Sequence, residues 1–280
     1  MTGRRPPSGL GALATFEARV ILRGRGTLVG MAAYGVASLM VTLLGLTSFA
    51  QLGLGAVGPA AVALLNLALL LPTVQAMTVG AMTLAGEREG SFLTMLRAQG
   101  SSARSLVTAS WLGVALSAGL STLVGFGVAG VLLATTVPLA DLVAFGELLV
   151  VSLLVAAAAA AIGTLIGALA DNRLQAGLAA VAVWFVVAIG LDLLLLGLGA
   201  FARVGELALI GAVLVNPLET GRVLALLALD PQGGALGPAG TYVLTHLGLL
   251  PAVGVLGAAL LAWIGVPLAL AARILARRDL

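Results

Sequence analysis

The residues that could carry out chemistry are few in this sequence. His246 is the only histidine, cysteine is absent, and all 14 basic residues are arginines because there is no lysine. The phosphate-binding loop of nucleotide hydrolases and a Schiff base both need a lysine, and thiolate chemistry needs a cysteine. No carboxylate stands beside His246 in the sequence to complete an acid–base pair or a metal site. We therefore predict no catalytic residue and no metal ligand, and a structural or interfacial role for His246.

The most distinctive polar segment is GEREGSFLTMLRAQGSSAR, residues 86–104, which is rich in charge and lies between two long apolar stretches. Phe92, Leu93 and Leu96 are spaced i, i+1, i+4, which places them on one side of a short helix. We predict an amphipathic helix across the mouth of a membrane domain, with its apolar side available to a partner protein. The alternative is an ordinary charged loop between two transmembrane helices.

Turn and capping residues border this predicted helix. Gly90 follows the charged residues 87–89 and lets the chain bend before the helix begins. Gly100 is expected to end the helix, and Ser101 or Ser102 to cap the next one. The turn and the helix together therefore extend over about 86–100.

Composition indicates that the rest of the chain lies in a membrane. Hydrophobic residues make up 61% of the 280 residues and charged residues only 9%. A soluble protein cannot keep so much apolar surface out of water. The pI near 10.5 comes from arginines that flank apolar stretches, which indicates membrane topology and not nucleic-acid binding. We expect an all-α integral membrane protein that contacts membrane lipid and no nucleic acid.

Six apolar segments are each long enough to cross about 30 Å of hydrocarbon at about 1.5 Å per residue. The predicted spans are 27–48, 58–84, 104–135, 143–170, 174–199 and 241–271, within one transmembrane domain, 26–280. Residues 1–25 precede that domain. They are predicted to form a polar tail and then an amphipathic elbow helix, 10–25, in the membrane interface.

The segment between the fifth and sixth spans, 200–240, is less apolar than the spans. It contains a moderately apolar piece, 204–215, and an amphipathic piece, 217–229, which we interpret as short helices on or in the outer membrane interface. A seventh span through both pieces is the alternative, but the sequence Asn216-Pro217 and the charges after it make that span costly.

Arginine placement predicts the orientation of the spans. With both termini inside, twelve of the 14 arginines face the cytoplasm, and only Arg203 and Arg222 face outward. The positive-inside rule therefore favours six spans with cytoplasmic termini and a cytoplasmic segment 86–104. Asp192 lies late in the fifth span, near the outer headgroups. There it can pair with Arg203 or Arg222, and we favour a structural role for it over a transport role.

With this six-span plan, the segment 86–104 resembles the part of ABC-2 type transporter permeases that follows their second span. In that family, a charged turn leads into a short coupling helix that docks on a separate ATPase subunit. By position, the turn matches Glu87, Arg88, Glu89 and Gly90, and the apolar coupling face matches Leu93, Met95 and Leu96. We expect Phe92, Leu93 and Leu96 to supply the contact with the ATPase, and Arg88 and Arg97 to orient it.

Three later stretches narrow the resemblance to the NosY-type permeases of the transporter for nitrous-oxide reductase maturation. They are VWFVVAIGLDLLLLGL (183–198), VNPLETGRVLALL (215–227) and LAWIGVPLALAARILARR (261–278). Asp192, Asn216, Pro217 and Arg222 stand in matching positions, and we assign them a structural role or contact with an extracytoplasmic partner. The chain departs from the family at Gln99, Gly100 and Ser110, because a proline after the coupling helix and a lysine at the third span are common there.

The resemblance implies a homodimer of permeases on two copies of an ABC ATPase that uses ATP, while this chain itself binds no cofactor. It also implies an extracytoplasmic β-helix partner and assembly of the copper–sulfur centre of nitrous-oxide reductase, at the inner membrane of a bacterium or archaeon. A copper path needs thiolate, imidazole or thioether ligands, which are scarce here, so we expect no copper ligation by this chain. Either a sulfur species crosses, or ATP-driven motion is relayed outward through 200–240.

Other functions fit parts of the same pattern. A generic ABC-2 exporter of lipid, drug or polysaccharide has the same architecture, and the genes beside this one would distinguish it. A secondary transporter or channel that works alone predicts transport without an ATPase. The lack of buried charge near the membrane midplane argues against that alternative. A membrane scaffold without transport is a third alternative.

Overall fold

The computed structural model describes residues 24–51, 57–90, 92–98, 100–134, 139–190, 206–232 and 244–277. Within these ranges the regular structure is helical, and six helices are long and apolar enough to cross a membrane. The predicted all-α membrane fold with six spans is thereby confirmed. Of the predicted elbow helix, 10–23 lies outside the described residues, and so does Asp192.

Nine helices are numbered here in chain order among the described residues. They are α1 (Arg25–Gln51), α2 (Val57–Glu89), α3 (Phe92–Ala98), α4 (Ala103–Leu133), α5 (Leu139–Leu169), α6 (Arg173–Phe185), α7 (Glu206–Val215), α8 (Pro217–Leu229) and α9 (Leu249–Arg277). A π-helical turn, Val186–Gly190, continues α6. We call the end of the bundle where α3 lies the α3 end. The N-termini of α4 and α6 and the C-terminus of α9 lie at the same end.

The last long helix differs from the predicted sixth span at both of its ends. It begins at Leu249 and not at 241, and it continues to Arg277 and not to 271. Gly248 precedes it with a φ of 79°, a left-handed conformation that separates α9 from the helical turn at 244–247. As a result, Arg273 and Arg277 belong to the helix itself.

The α2–α5 pair forms the centre of the bundle, because small residues let the two backbones approach closely. Gly163 and Gly167 of α5 face the α2 backbone at Met77 and Ala81. A Cβ on Gly163 would lie 2.8 Å from the Cα atom of Met77 and closer still to its carbonyl oxygen. Five of the six alanines at 156–161 of α5 are buried beside these glycines, so this side of the helix packs against protein.

The first helix, α1, packs on α4 and α2 through polar side chains as well as apolar ones. Tyr34 is 1% exposed, and its ring occupies the space that a side chain at Gly125 would fill. Ser38 donates a hydrogen bond of 2.6 Å to the carbonyl oxygen of Gly125. Because Gly125 has no side chain, Tyr34 of α1 can pack against α4 at this position.

The connection between the short helices α7 and α8 lies inside the bundle. Trp263 lies halfway along α9, and its indole Nε1 donates a hydrogen bond of 3.0 Å to the carbonyl oxygen of Leu214 at the end of α7. A Cβ on Gly221 of α8 would meet the side chain of Val155, close to the middle of α5. The connection between α7 and α8 is thus at half the height of the long helices. This differs from the expectation that both helices lie in the outer interface.

Apolar side chains cover the outward faces of α1, α6 and α9. Leu250, Leu174 and Leu178 are 86%, 72% and 65% exposed. In a chain with six apolar spans, such faces contact lipid or another apolar protein surface.

Candidate functional site

The predicted coupling helix is present as α3, and its apolar residues point into the bundle. Leu93 and Leu96 are 1% and 2% exposed and belong to a buried cluster with Leu84, Leu106 and Leu275. The prediction that this apolar side is available to a partner is therefore wrong for Leu93 and Leu96. They anchor α3 on the ends of α2, α4 and α9, because an apolar side chain gains more when it is buried beside other apolar groups than when it faces water.

A different part of α3 is exposed. Met95 is 46% exposed, and Ala98 is exposed as well. The side chain of Phe92 lies outside the described residues. Among the described residues of α3, Met95 is therefore the large apolar side chain that is open to a partner.

Two arginines connect this region to the ends of long helices. Arg88 donates through Nη1 to the carbonyl oxygen of Ala168 at 3.1 Å and through Nη2 to that of Ala170. Arg97 donates through Nη1 to the carbonyl oxygen of Leu275 at 3.2 Å. These acceptors lie at the C-terminal ends of α5 and α9, where helix carbonyls lack intrahelical partners and the helix dipole favours a cation. Both arginines thus hold α3 and its preceding turn against α5 and α9.

The acidic residues and glycines of the turn have separate structural tasks. Glu89 accepts through Oε2 from the backbone N–H of Arg173 at 3.1 Å, at the first residue of α6, where a carboxylate is favourable. Glu87 is half-buried. Gly90 donates to the carbonyl oxygen of Gly86 at 3.0 Å and closes the last turn of α2. The turn therefore fixes where α2 ends and where α6 begins.

The predicted borders of α3 are confirmed on its C-terminal side. Gly100 has a φ of 88°, and Ser101 donates its backbone N–H to the carbonyl oxygen of Leu96 at 3.1 Å. Ser102 caps α4, since its side chain accepts from the backbone N–H of Ser105 at 3.1 Å. A left-handed glycine followed by a serine cap is a common way to end one helix and begin the next.

A second polar group occupies the connection between α7 and α8, which we call the buried turn, residues 213–222. Asn216 is 1% exposed, and its Nδ2 donates to the carbonyl oxygen of Val187 at 2.8 Å. Its Oδ1 accepts from the backbone N–H of Leu218 at 3.0 Å and caps α8. Pro217 is buried at the first helical position, where its missing N–H costs nothing. A capping asparagine and a proline together make this sharp turn possible within the bundle.

Arg222 is paired with Glu219 in the same turn of α8, with a distance of 2.6 Å between Nη1 and Oε1. Arg222 lines a cavity together with residues of the first half of α2, among them Leu65, Asn66 and Leu70. The two side chains are 32% and 17% exposed, so the expectation that buried charge is absent near the midplane stays a prediction. The i, i+3 spacing of the two residues was the signal in the sequence that could have shown this pair.

Several contacting residues could not be identified from the sequence. They are the carbonyl groups of Ala168, Ala170, Val187, Leu214 and Leu275. A backbone carbonyl carries no sequence signal, because every residue has one. The indole N–H of Trp263 donates to the carbonyl oxygen of Leu214, and no pattern in the sequence indicated this partner.

The described residues contain no group of three or more histidine, cysteine, aspartate or glutamate side chains that could hold a metal ion. His246 is exposed and lies beside Thr245, with 3.3 Å between the threonine Oγ1 and the imidazole Nδ1. The absence of a metal ligand and of a cofactor in the whole chain stays a prediction.

We expect Asn216→Ala to lower the stability of the protein by roughly 2–4 kcal/mol, because it removes the cap of α8 and leaves the carbonyl of Val187 without its donor in an apolar region. Thermal unfolding in detergent, followed by size-exclusion chromatography, measures this loss. Asn216→Asp keeps the capping oxygen and should lose only part of the stability. Val215→Ala is the matched control, since that side chain is 65% exposed. A loss no larger than that of the control would contradict the assigned role.

Two known proteins are similar to this chain over most of its length. The chain is 29% identical over 264 residues to the "Probable ABC transporter permease protein NosY" of Stutzerimonas stutzeri, covering 92% of this chain and 94% of that protein. It is 28% identical over 266 residues to the protein of the same name from Pseudomonas aeruginosa, with the same coverage. No protein-family model matches the chain.

These similarities agree with the architecture. They extend over nearly the whole of each chain, and six apolar helices fit a multi-pass protein of the bacterial inner membrane. The predicted resemblance to ABC transporter permeases of the NosY type is therefore confirmed, and it supports a permease subunit of an ABC transporter.

Proposed function

We propose that this chain is the membrane half of an ABC transporter and couples ATP hydrolysis by a separate ATPase subunit to a movement across the membrane. Two permeases and two ATPase subunits form the machine, and α3 is its cytoplasmic coupling helix. The similarity to NosY permeases supports the class of transporter. The arginine distribution supports an orientation with α3 and both termini in the cytoplasm.

One structural observation carries the proposed coupling: α9 contacts both α3 and the buried turn, and α5 contacts the buried turn and the end of α2 that leads into α3. On α9, the carbonyl of Leu275 accepts from Arg97, and Trp263 donates to Leu214. On α5, the carbonyl of Ala168 accepts from Arg88, and Val155 contacts Gly221. The distance along α9 from Leu275 to Trp263 is about 18 Å at about 1.5 Å per residue.

These two helices can act as levers because a helix is stiff along its axis. A displacement of α3 by the ATPase changes the position of α5 and α9, and they in turn displace the buried turn and the segment that leads outward from it. Asn216, Pro217 and Arg222 then belong to the receiving end of this relay. Such a relay delivers mechanical work to an extracytoplasmic partner without a ligand path through this chain.

We further propose that the machine serves assembly of the copper–sulfur centre of nitrous-oxide reductase, with an extracytoplasmic β-helix protein as the partner. The resemblance to NosY-type permeases supports this assignment. It also agrees with a chain that has no cysteine and one exposed histidine, because such a chain offers copper few ligands. In this proposal the chain binds no cofactor, and ATP is used by the ATPase subunit.

The test uses the absence of cysteine, which makes any introduced cysteine a unique label. The chain is co-expressed with a candidate ATPase subunit, and Gln232→Cys, exposed at the end of the segment after α8, is labelled with an impermeant maleimide. In intact cells, we expect this cysteine to be labelled from outside. In the complex with the ATPase, we expect its labelling rate to change when ATP is added. Ala98→Cys on α3 should be labelled only from the cytoplasm.

Two outcomes would contradict the proposal. If Ala98→Cys were labelled from outside, the orientation would be wrong. If the labelling rate of Gln232→Cys were the same with ATP, with a non-hydrolysable analogue and without nucleotide, the buried turn would not receive the motion.

A further inference from the structure

An open groove lies between the first turns of α4 and the last turns of α9, at the α3 end of the bundle. Its volume is about 530 Å³. The lining residues are Ser102, Ala103, Arg104, Thr108, Leu268, Ala269, Ala272, Arg273 and Ala276. Most of the wall is apolar, and three of the lining residues on α9 are alanines.

Two guanidinium groups border this groove from opposite helices. Arg104 and Arg273 are both exposed. Neither forms a salt bridge with a carboxylate among the residues that the structure describes. The helix dipoles of α4 and α9 do not account for the positive charges of Arg104 and Arg273. Arg277 already occupies the last turn of α9, and Arg104 stands in the first turn of α4, where a cation is unfavourable.

The position of the groove along the membrane normal follows from helix length. The 31 residues of α4 extend about 46 Å, close to the roughly 40–45 Å of a bilayer with its headgroups. The 29 residues of α9 extend about 44 Å. The first turn of α4 and the last turns of α9 are therefore at the level of the headgroups, and the apolar part of the groove continues toward the hydrocarbon.

We propose that this groove binds an anionic phospholipid, whose phosphate lies between Arg104 and Arg273 and whose acyl chain follows the apolar surface of α9. A guanidinium group forms paired, charge-assisted hydrogen bonds with phosphate oxygens, and two of them on different helices can hold one headgroup. Basic grooves between transmembrane helices at the membrane surface are suited to this chemistry. Leu261, which is 61% exposed, lies further along the same helix toward its middle.

The site borders the cluster that anchors α3. Ala103 and Ala272 line the groove and belong to the same buried cluster as Leu93, Leu96 and Leu275. A lipid that bridges α4 and α9 therefore stabilises the surface on which α3 rests. This inference needs only the membrane location of the chain and does not depend on the proposed coupling to an ATPase.

Native mass spectrometry of the purified full chain tests the proposal, with phosphatidylglycerol and phosphatidylcholine added in separate titrations. We expect the wild-type chain to retain phosphatidylglycerol in preference to phosphatidylcholine. Each arginine near a membrane surface changes such binding about fivefold, so the double variant Arg104→Gln with Arg273→Gln should lose about 30-fold. Arg277→Gln is the matched control, because Arg277 is on the same helix end and does not line the groove.

Three results would overturn the proposal. Equal retention of the two lipids by the wild-type chain would exclude recognition of the headgroup charge. Retention of phosphatidylglycerol by the double variant at the wild-type level would exclude these two arginines. If the double variant lost the co-purifying ATPase while its lipid retention was unchanged, the groove would be a protein-docking surface. Loss of phosphatidylglycerol in the double variant, with a normal elution volume and normal retention by Arg277→Gln, supports the proposal.

Discussion

Met95→Asp is expected to prevent assembly with the ATPase subunit while the permease itself stays folded and inserted. Met95 is 46% exposed on α3, so an aspartate there meets water in the isolated permease and costs little stability. In a complex, the same carboxylate would lie in an apolar contact and lose its hydration. A substitution at such a central apolar contact weakens binding by about 30-fold or more. Co-purification on a tagged ATPase, followed by an ATP-hydrolysis assay of the complex, measures this loss.

Leu93→Ala should lower the stability of the permease itself, in contrast to Met95→Asp, which should affect assembly. Leu93 is 1% exposed and packs against the ends of other helices, so its truncation leaves a cavity. Buried leucines replaced by alanine cost about 2–5 kcal/mol. We expect a lower unfolding temperature of the permease, both when it is isolated and when the ATPase is present.

The pair of variants separates the two roles of α3. If Met95→Asp bound the ATPase as tightly as wild type, the exposed side of α3 would not be the docking surface. If Leu93→Ala left the stability of the permease unchanged but prevented assembly, Leu93 would face the ATPase, and its burial within the permease would be wrong. Ala98→Ser, a small change at an exposed position of the same helix, serves as the control for both experiments.

Gly163→Ala should strongly destabilise the permease, because one added methyl group separates its two central helices. The new Cβ would lie 2.8 Å from the Met77 Cα atom, and the obstacle is main chain that cannot rotate away. Steric overlap of this kind costs about 3 kcal/mol, and relief of the overlap moves α5 away from α2. The thermal unfolding temperature in detergent, measured by size-exclusion chromatography, should fall clearly below that of wild type.

Gly127→Ala is the matched control for this substitution. Gly127 is also a helical glycine of the membrane domain, but no atom outside its own helix lies within 4 Å of the position of an added Cβ. Its replacement should be neutral or slightly stabilising, because alanine favours a helix more than glycine does. Equal unfolding temperatures for the two variants would show that the close approach of α2 and α5 is not needed for stability.

The same close contact bears on the proposed relay. Because α5 packs on α2 through main chain at Gly163 and Gly167, it can move only together with α2 or by sliding along it. Arg88 connects these two helices again at the α3 end through Ala168. In the proposed relay, a push on α3 would therefore be passed on by this closely packed pair of helices.

Much of the architecture could be predicted from local features of the sequence. Long apolar segments with few charges must form helices in a membrane, because only internal hydrogen bonding satisfies their backbone there. The positive φ of Gly100 and the cap at Ser102 also followed from residue type, since glycine and serine are suited to these positions. The break between α7 and α8 followed from Asn216 and Pro217 for the same reason.

The sequence by itself determined which segments are helices and, at α3, α4 and α8, where a helix begins or ends, because those choices depend on the residues of each segment. Only the tertiary structure decided what each helix contacts. The spacing of Leu93 and Leu96 showed that α3 has an apolar side, but burial of that side against α4 and α9 depended on distant residues such as Leu106 and Leu275. The depth of the buried turn was decided in the same way, because the contacts of Trp263 and Val155 with it join positions that are far apart in the chain.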